Sequence, residues 1–196
     1  CITLTVSANG SVAKYNPDVA VANNVVTSDT INAYINSVNL QNSSLSTSNN
    51  GNIIATITFS KSMSANELKT YVNTYNIQMV QVQARGYDEN NNRITFFSWS
   101  DAGIDKTYEI LEEMAIDGKI KFSGVIEMYA IIDSKYIEVM QKDEKTFLLD
   151  TSANNYNVDE NTTSSVYKNE IISTEKNENY FVHSVAWDIE NLGLVS

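Results

Sequence analysis

Residues 53–67 have the sequence IIATITFSKSMSANE and carry the clearest structural signals of the chain. Alternate residues in its first half are apolar, which is the period-2 pattern of a strand with one buried face. The stretch closes on SANE, a capping box in which the serine hydroxyl and the glutamate carboxylate satisfy unpaired amide donors at a helix N-terminus. Residues 53–67 therefore predict a strand that leads into a helix.

The two patterns repeat toward the C-terminus. They predict further strands over residues 79–87, 93–99, 119–132 and 146–149, and helices over 105–117 and after 133 or 134. We also expect a bulge at Gly124 and a left-handed helix cap at Gly118. The order β-α-β-β-α-β-α-β predicts an α+β fold, with a small, largely antiparallel sheet carrying helices on one face.

The segments that flank this core over residues 53–150 have weaker patterns. Residues 9–52 predict an N-terminal segment with a short helix, whose apolar residues Ile31, Tyr34, Ile35 and Val38 share one face. A linker rich in Ser and Asn is expected over 41–52. Residues 151–179 are predicted to form a polar surface excursion, and a C-terminal helix is expected to run from Phe181 to Leu192 and pack on the core.

Two segments of the core, Ile53–Asn76 and Gly124–Asp150, together resemble the subtilisin-propeptide type of proteinase inhibitor. The second segment ends in KDEKTFLLD, residues 142–150, which is similar to the turn and closing strand of that family. The resemblance implies a ferredoxin-like core, here with a strand and a helix inserted between Asp88 and Lys121. It also implies that the tail after the last strand is the inhibitory element. By position that tail is Thr151, Ser152, Ala153, Asn154 and Asn155.

The charge of the chain restricts its partners. Its 24 acidic and 13 basic residues give a formal net charge of -11, which repels phosphate backbones and anionic membrane surfaces. We therefore expect no nucleic-acid partner. The sequence also lacks an apolar run of about twenty residues, so no membrane span is predicted.

The only cysteine is Cys1, which leaves no intramolecular disulfide. Residues 1–8 are uncharged and mostly apolar, and Val6-Ser7-Ala8 resembles a signal-peptidase site, so we predict a signal-peptide remnant that is cleaved before Asn9. The alternative is a lipoprotein in which Cys1 carries a lipid anchor. Both interpretations place the protein in the secreted fraction or on the outer face of the cell envelope. An ordinary N-terminus with a stray thiol is the remaining interpretation, since a short apolar run also occurs in strands.

Two weak candidate sites lie on the predicted hairpin. Asp88, Asn90 and Asn92 match the opening of an oxygen-ligand calcium loop, but Arg93 stands where that loop needs glycine. A solvated turn is the favoured interpretation, so no cofactor is expected, and calcium bound at this loop is the alternative. The aromatic residues Tyr87, Phe97 and Trp99 form a second candidate, a binding face for a protein or a sugar. Packing in the core is the favoured interpretation for such a strand face.

Other residues argue little for catalysis. His183 is the sole histidine, and no nucleophile elbow or phosphate loop accompanies it. Adjacent acids such as Glu112 with Glu113, or Asp159 with Glu160, are typical of a solvated charged face. The sequence thus favours a non-enzymatic module that binds a protein or a cell-envelope component. A protease inhibitor or propeptide-like chaperone is the alternative, and a carboxylate-dependent hydrolase the third possibility.

Overall fold

The computed structural model describes residues 5–6, 12–13, 27–48, 51–155, 172–173, 180–181 and 184–195. The strands are β1 (Thr5–Val6), β2 (Val12–Ala13), β3 (Asn52–Met63), β4 (Gln78–Tyr87), β5 (Arg93–Trp99), β6 (Lys121–Asp133), β7 (Thr146–Asp150), β8 (Ile172–Ser173) and β9 (Tyr180–Phe181). The α-helices are α1 (Ser28–Ser48), α2 (Ala65–Thr74), α3 (Ile104–Asp117), α4 (Ile137–Lys142) and α5 (Ala186–Asn191). Short 3-10 helices follow β6 at Ser134–Tyr136 and β7 at Ser152–Asn155.

Five strands form one antiparallel sheet in the order β5-β4-β6-β3-β7. The unit β3-α2-β4 is a split β-α-β, because β6 lies between its two strands and pairs with both. Strands β7, β3, β6 and β4 have the order of a ferredoxin-like sheet, to which β5 and α3 are added at one edge. The predicted α+β fold with an inserted strand and helix is confirmed.

Three helices cover the first face of this sheet. The capping box forms as predicted, since the Ser64 hydroxyl accepts from Glu67 N while the Glu67 carboxylate accepts from Ser64 N. Helices α2, α3 and α4 then bury their apolar stripes against alternate residues of the strands. The fully buried members on the helices include Leu68, Leu111 and Met140. The main core therefore lies between these helices and the sheet.

Two predicted glycine conformations have different outcomes. Gly124 adopts φ 137° at a register shift of β6, which confirms the predicted bulge. Gly118 has φ -83°, so the predicted left-handed cap is wrong at that residue. The left-handed residue is Lys119, and Ile120 N donates to Ala115 O over 2.7 Å in a Schellman arrangement. The cap therefore lies one residue further along the chain.

Helix α1 is longer than its apolar spacing indicated. It continues to Ser48, through most of the segment predicted as a linker. Its serine and threonine hydroxyls donate back to carbonyls of the same helix, as Ser43 Oγ does to Asn39 O. The buried Asn42 contributes a tertiary anchor, because its amide nitrogen donates to Leu149 O over 2.8 Å. The tertiary hydrogen bond of Asn42, rather than the bonds of the hydroxyls to their own helix, thus supports a helix that composition alone disfavours.

The second face of the sheet is covered by the C-terminal segment and, near β7, by α1. Phe181 lies in β9 and stacks on Tyr129 of β6, with the ring centroids 5.3 Å apart. The predicted C-terminal helix is therefore wrong at its start: α5 begins at Ala186, whose amide donates to Ser184 Oγ. After α5, Gly193 adopts φ 67° and forms a left-handed cap, with Leu194 N donating to Ile189 O over 2.9 Å.

Among the described helices, none combines the length and the apolarity that a bilayer crossing requires. Strand β1 lies within the predicted signal-peptide remnant and pairs with β2, while Cys1 lies outside the described residues. Of the predicted surface excursion over 151–179, residues 151–155 and 172–173 are described.

Candidate functional site

The candidate site is built on the hairpin of β4 and β5, on the second face of the sheet. Directly paired residues of an antiparallel ladder point to the same face, and β4 pairs with β5 in one unbroken register. The side chains of alternate residues therefore lie together on a surface that we call the hairpin face. Its members are Gln81, Gln83, Arg85, Tyr87, Arg93, Thr95, Phe97 and Trp99.

The three aromatic residues predicted to form a binding face do share this surface. Tyr87, Phe97 and Trp99 are each half-buried, whereas Phe96 points to the first face and contacts Phe122 with 5.9 Å between ring centroids. Trp99 Nε1 is enclosed and makes no hydrogen bond within the described part of the chain. Strand alternation therefore separates one packed aromatic residue from three that border solvent.

The turn of this hairpin is closed by its own side chains. The Asp88 carboxylate accepts from Asn90 N at 2.9 Å, from Asn92 N at 2.7 Å and from Asn92 Nδ2 at 2.8 Å. These hydrogen bonds, led by those from Asn92, hold the pKa of Asp88 below its usual value. The residues of the weak calcium candidate thus serve as turn-closing groups, with Asn91 in the left-handed region at φ 61°.

Both arginines of the protein converge on helix α5. Arg85 is 2% exposed and donates two hydrogen bonds to the Glu190 carboxylate, the one from Nε measuring 2.8 Å. Its Nη1 donates to Ile94 O and to the Thr95 hydroxyl of β5. A planar guanidinium suits such a bidentate contact. This one side chain therefore joins β4, β5 and the C-terminal helix.

Arg93 completes the arrangement from the neighbouring strand. Its guanidinium carbon lies 3.8 Å from the centroid of the Trp187 ring, and that of Arg85 lies 5.1 Å from the same ring. Arg93 also donates to the Asn191 side chain and lies 3.8 Å from the Glu190 carboxylate. We call Arg85, Arg93, Trp187 and Glu190 the arginine clamp. It fixes α5 to the hairpin by charge and by stacking.

A small open cleft lies beside the arginine clamp, between α5 and the ends of β3 and β4. Lys61, Tyr87 and Val195 are among its lining residues, and its free volume is about 40 Å³. Ligand pockets for organic molecules usually measure about 300–1,000 Å³. The cleft therefore has room for a few water molecules rather than for a substrate.

Strand β5 is an open edge of the sheet. Asp88 N donates to Asn92 O and Ser100 N to Val80 O, so even-numbered residues direct their backbone polar groups toward β4. The N–H and C=O groups of Arg93, Thr95, Phe97 and Trp99 must then point away from the sheet. In the described ranges, no strand pairs with β5 on that side. The hairpin face thus borders a row of outward-pointing backbone groups.

The opposite edge, at β7, is covered. Asn42 of α1 donates to Leu149 O, so the helix occupies the outer side of this strand. Beyond the end of β7, the Asn154 side chain accepts from Ile54 N at 3.0 Å and donates to Ile54 O at 2.8 Å. Asn154 thereby takes the place of a strand along β3. Natural sheets usually protect their edges in such ways.

The residues proposed as an inhibitory tail lie in this covered region. Thr151 and Ala153 are buried, and Ser152–Asn155 forms a 3-10 helix instead of an extended strand. The Thr151 hydroxyl donates to Asn42 Oδ1 over 2.5 Å. The structure therefore uses Thr151, Ser152, Ala153 and Asn154 as packing and hydrogen-bonding groups.

A buried carboxyl group lies beside that tail. Asp150 accepts hydrogen bonds from the Tyr34 hydroxyl, from Ser152 N at 2.9 Å and from Ser152 Oγ at 2.6 Å. Burial raises the pKa of Asp150 above its usual value, although these hydrogen bonds act in the opposite direction. The donors come from α1 and the 3-10 helix, so this network links the N-terminal helix to the sheet.

The other acidic candidates are not brought together. Glu112 and Glu113 are exposed on α3, while His183, Asp159 and Glu160 lie outside the described residues. Among the residues that the structure describes, no three His, Cys, Asp or Glu side chains lie close enough to hold a metal ion.

The sequence did not predict the arginine clamp. Alternation along residues 79–87 puts Arg85 on the same side as Gln81 and Gln83, but it does not show whether another element covers that side. Two signals were available. Arg85 and Arg93 are both odd-numbered, so strand alternation puts them on the same face of the hairpin, and Trp187 and Glu190 are three residues apart, which puts them on the same face of a helix.

The chain was compared with protein families, curated proteins and solved structures. No family model matches it, and no curated protein does. No solved structure matches it either.

Proposed function

We propose that this protein is a non-enzymatic module that works outside the cytoplasm and binds a protein or cell-envelope partner through the hairpin face. The observation that carries the proposal is the position of Phe97 and Trp99, half-buried side by side along an open sheet edge. Aromatic residues at such positions supply large contact area with little loss of side-chain entropy.

The arginine clamp supports this proposal, because it makes the hairpin face a rigid surface. Arg85 and Arg93 hold β4, β5 and α5 together, and Trp187 remains 45% exposed beside them. A preorganised surface loses less entropy on binding than a mobile one. Trp187 therefore extends the aromatic surface beyond the hairpin.

The export part of the proposal has its support in residues 1–8, whose uncharged run ends in a sequence similar to a signal-peptidase site. Mass spectrometry of the N-terminus of the native protein tests it. An N-terminus at Asn9 or a lipid-modified Cys1 agrees with export, and an unprocessed N-terminus contradicts it.

The binding proposal is tested by capture. Immobilised protein is exposed to native culture fluid and to detergent extracts of the cell envelope, and bound proteins are identified by mass spectrometry. We expect a saturable partner that the double variant Phe97→Ala, Trp99→Ala captures at least about tenfold less well. The matched control is Met114→Ala, Ile116→Ala, which removes exposed apolar side chains from α3. Equal capture by both double variants would overturn the proposal.

Protease inhibition is the second candidate, favoured by the ferredoxin-like order of β7, β3, β6 and β4. Because Ser152–Asn155 forms a 3-10 helix and Thr151, Ser152 and Ala153 are buried, inhibition through this tail requires that helix to open. Titration of several subtilisin-type proteases tests the candidate: stoichiometric inhibition would support it, and full residual activity at micromolar protein would exclude it.

A further inference from the structure

We propose that the partner binds by adding an extended, basic segment to β5 as a further strand of the sheet. This inference rests on the proposed function and names the binding mode and the partner chemistry for the same site. It combines the direction of the backbone groups of β5, the composition of that strand and the charges around it.

The backbone geometry provides the first step. The N–H and C=O groups of Arg93, Thr95, Phe97 and Trp99 point away from β4, as the hydrogen bonds at both ends of the hairpin require. An extended segment that pairs with these groups obtains its affinity from main-chain hydrogen bonds. Its side chains would alternate between the hairpin face and the side of α3.

The composition of β5 is the second step. Edge strands of natural sheets are usually protected by lysine, proline, a bulge or an inward-pointing charge. The one charged residue of β5 is Arg93 at its start, and its guanidinium is held by the arginine clamp. Residues 94–99, ITFFSW, carry no charge and no proline, and the pairing of β4 with β5 contains no register shift. The β7 edge, in contrast, is covered by Asn42 of α1. Of these two edges, the structure leaves β5 suited to strand addition.

The charges around β5 indicate which kind of segment would pair with it. Helix α3 packs against β5, and its exposed residues include five acids. Lys69 forms an ion pair with Asp105, and Lys106 forms one with Glu109. In the described part of the chain, no basic side chain lies within salt-bridge distance of the other three. The five acids are Asp105, Glu109, Glu112, Glu113 and Asp117.

This charge distribution favours a basic segment over a second copy of the chain. Two copies joined along β5 would bring two acidic α3 helices to one junction, and each copy carries a net charge of -11. Like charges at an interface oppose association, whereas lysine or arginine on an added strand complements α3. The geometry and the charge therefore point to an extended partner segment rich in basic residues.

Defined peptides test the inference without the native partner. The probe is a blocked peptide of alternating Lys and Val that matches the 7 residues of β5. One control replaces Lys by Glu, and another places proline at the centre of the Lys-Val peptide. We expect the Lys-Val peptide to bind at least about tenfold more tightly than either control, with affinity falling as salt rises. It should also protect the amide protons of Thr95 and Phe97 from exchange.

Substitutions in the protein provide the matched comparison. Thr95→Pro removes one outward N–H, while Thr95→Val keeps it; both remove the hydroxyl that accepts from Arg85. We expect only Thr95→Pro to lose peptide binding, with both variants checked for an intact fold by circular dichroism. Glu112→Lys with Glu113→Lys should weaken binding about tenfold. Glu138→Lys with Glu144→Lys, which gives the same net charge, should leave it unchanged.

The outcomes separate this inference from the proposed function. If Phe97 and Trp99 are needed for capture of the native partner but Thr95→Pro captures it as well as Thr95→Val, strand addition is wrong and the hairpin face remains the binding surface. If the Lys-Val and Glu-Val peptides bind equally, the proposal that the added segment is basic is wrong. A dimer seen by sedimentation that Thr95→Pro abolishes would assign the edge to a second copy and overturn the inference.

Discussion

At the scale of single residues, the buried carboxyl group of Asp150 is the least expected feature of the structure. It lies at the end of β7, where it is 2% exposed and receives hydrogen bonds from Tyr34 and Ser152. An ionised carboxylate loses much of its hydration at such a site, and the hydrogen bonds replace only part of it. Asp150 should therefore make the stability of the protein depend on pH.

We predict that Asp150→Asn changes this pH dependence. Because burial raises the folded-state pKa of Asp150, its protonated form stabilises the fold below the unfolded pKa of about 4. That contribution is lost as the pH rises through the folded pKa. The free energy of unfolding of the wild type, relative to Asp150→Asn, should thus fall with rising pH. Urea unfolding across the acidic range measures this, with the exposed Asp117→Asn as control. If the free energy of unfolding of the wild type instead rises with pH relative to that of Asp150→Asn, the folded-state pKa of Asp150 is lowered and the prediction is wrong.

We predict that calcium does not stabilise the hairpin turn. The Asp88 carboxylate is already occupied by donors from Asn90 and Asn92, so a cation would have to displace the hydrogen bonds that close the turn. A ligand that binds only the folded state raises the melting temperature. The melting temperature should therefore be equal in chelator and in millimolar calcium. A rise that Asp88→Ala abolishes would instead establish a calcium site.

At the scale of elements, helix α5 shows how a short segment acquires a fixed position. It spans 6 residues, too few for a stable helix in isolation. Its position depends on Ile189 in the apolar layer and on the arginine clamp. Polar contacts across a buried face thus determine where the C-terminus lies.

We predict that Arg85→Met lowers the free energy of unfolding by about 3 kcal/mol, because it leaves the Glu190 carboxylate without its closest cation. The double variant Arg85→Met, Glu190→Met should recover part of this loss, since it removes both charges. Lys106→Met breaks an exposed ion pair and should change stability by less than about 0.5 kcal/mol. Urea unfolding provides these values. Equal effects of Arg85→Met and Lys106→Met would contradict a stabilising clamp.

We predict that Gly124→Ala destabilises the sheet by about 2–3 kcal/mol. Gly124 has φ 137°, and an added Cβ would lie 2.6 Å from Met63 O of the neighbouring strand. Gly51→Ala is the matched control, because Gly51 also has positive φ but no atom within 4 Å of the added Cβ. Its cost should be about 1 kcal/mol. Thermal unfolding compares the two, and equal losses would show that the contact with Met63 has no effect.

The elements that the sequence predicted well are those with a local cause. A capping box fixes the start of α2, and the alternation of Ile53 to Phe59 predicts a strand, because each pattern acts over a few residues. The extension of α1 to Ser48 and the late start of α5 depend on contacts with distant segments. Asn42, for example, bonds to Leu149. Such contacts leave no periodic signal, so composition gave the wrong boundary.

At the scale of the whole molecule, the two sheet edges differ. Strand β7 is covered by α1, while in the described ranges no strand pairs with the outward-pointing backbone groups of β5. Of these groups, Trp99 O accepts from the Ser98 hydroxyl. The sequence predicted the aromatic members of the hairpin face, because alternate residues of a strand lie on the same face of the sheet. It could not predict which strand would form the edge. That depends on the insertion of β6 between β3 and β4, a property of the folded sheet.

We predict that Asn42→Ala loosens the N-terminal helix and the β7 edge together. Asn42 is fully buried and bonds to Leu149, Gln141 and Thr151, so its loss should cost about 2 kcal/mol. Amide exchange should accelerate in β7 and not in β5. Ser43→Ala, exposed on the same helix, should change neither. Uniform acceleration throughout the sheet would show that α1 stabilises the molecule globally rather than one edge.

Helix α1 also has a consequence for biosynthesis. It leaves the ribosome before any strand of the main sheet, yet its docking sites on α4 and β7 lie about a hundred residues later in the chain. Its apolar residues, which include Ile31 and Val38, therefore have no packing partner until Leu148, Val185 and Ile189 have been synthesised. The serine and asparagine residues of this segment keep it hydrated until those partners have been synthesised. A composition that looks like that of a linker thus suits a segment that is made early and whose packing partners are made late.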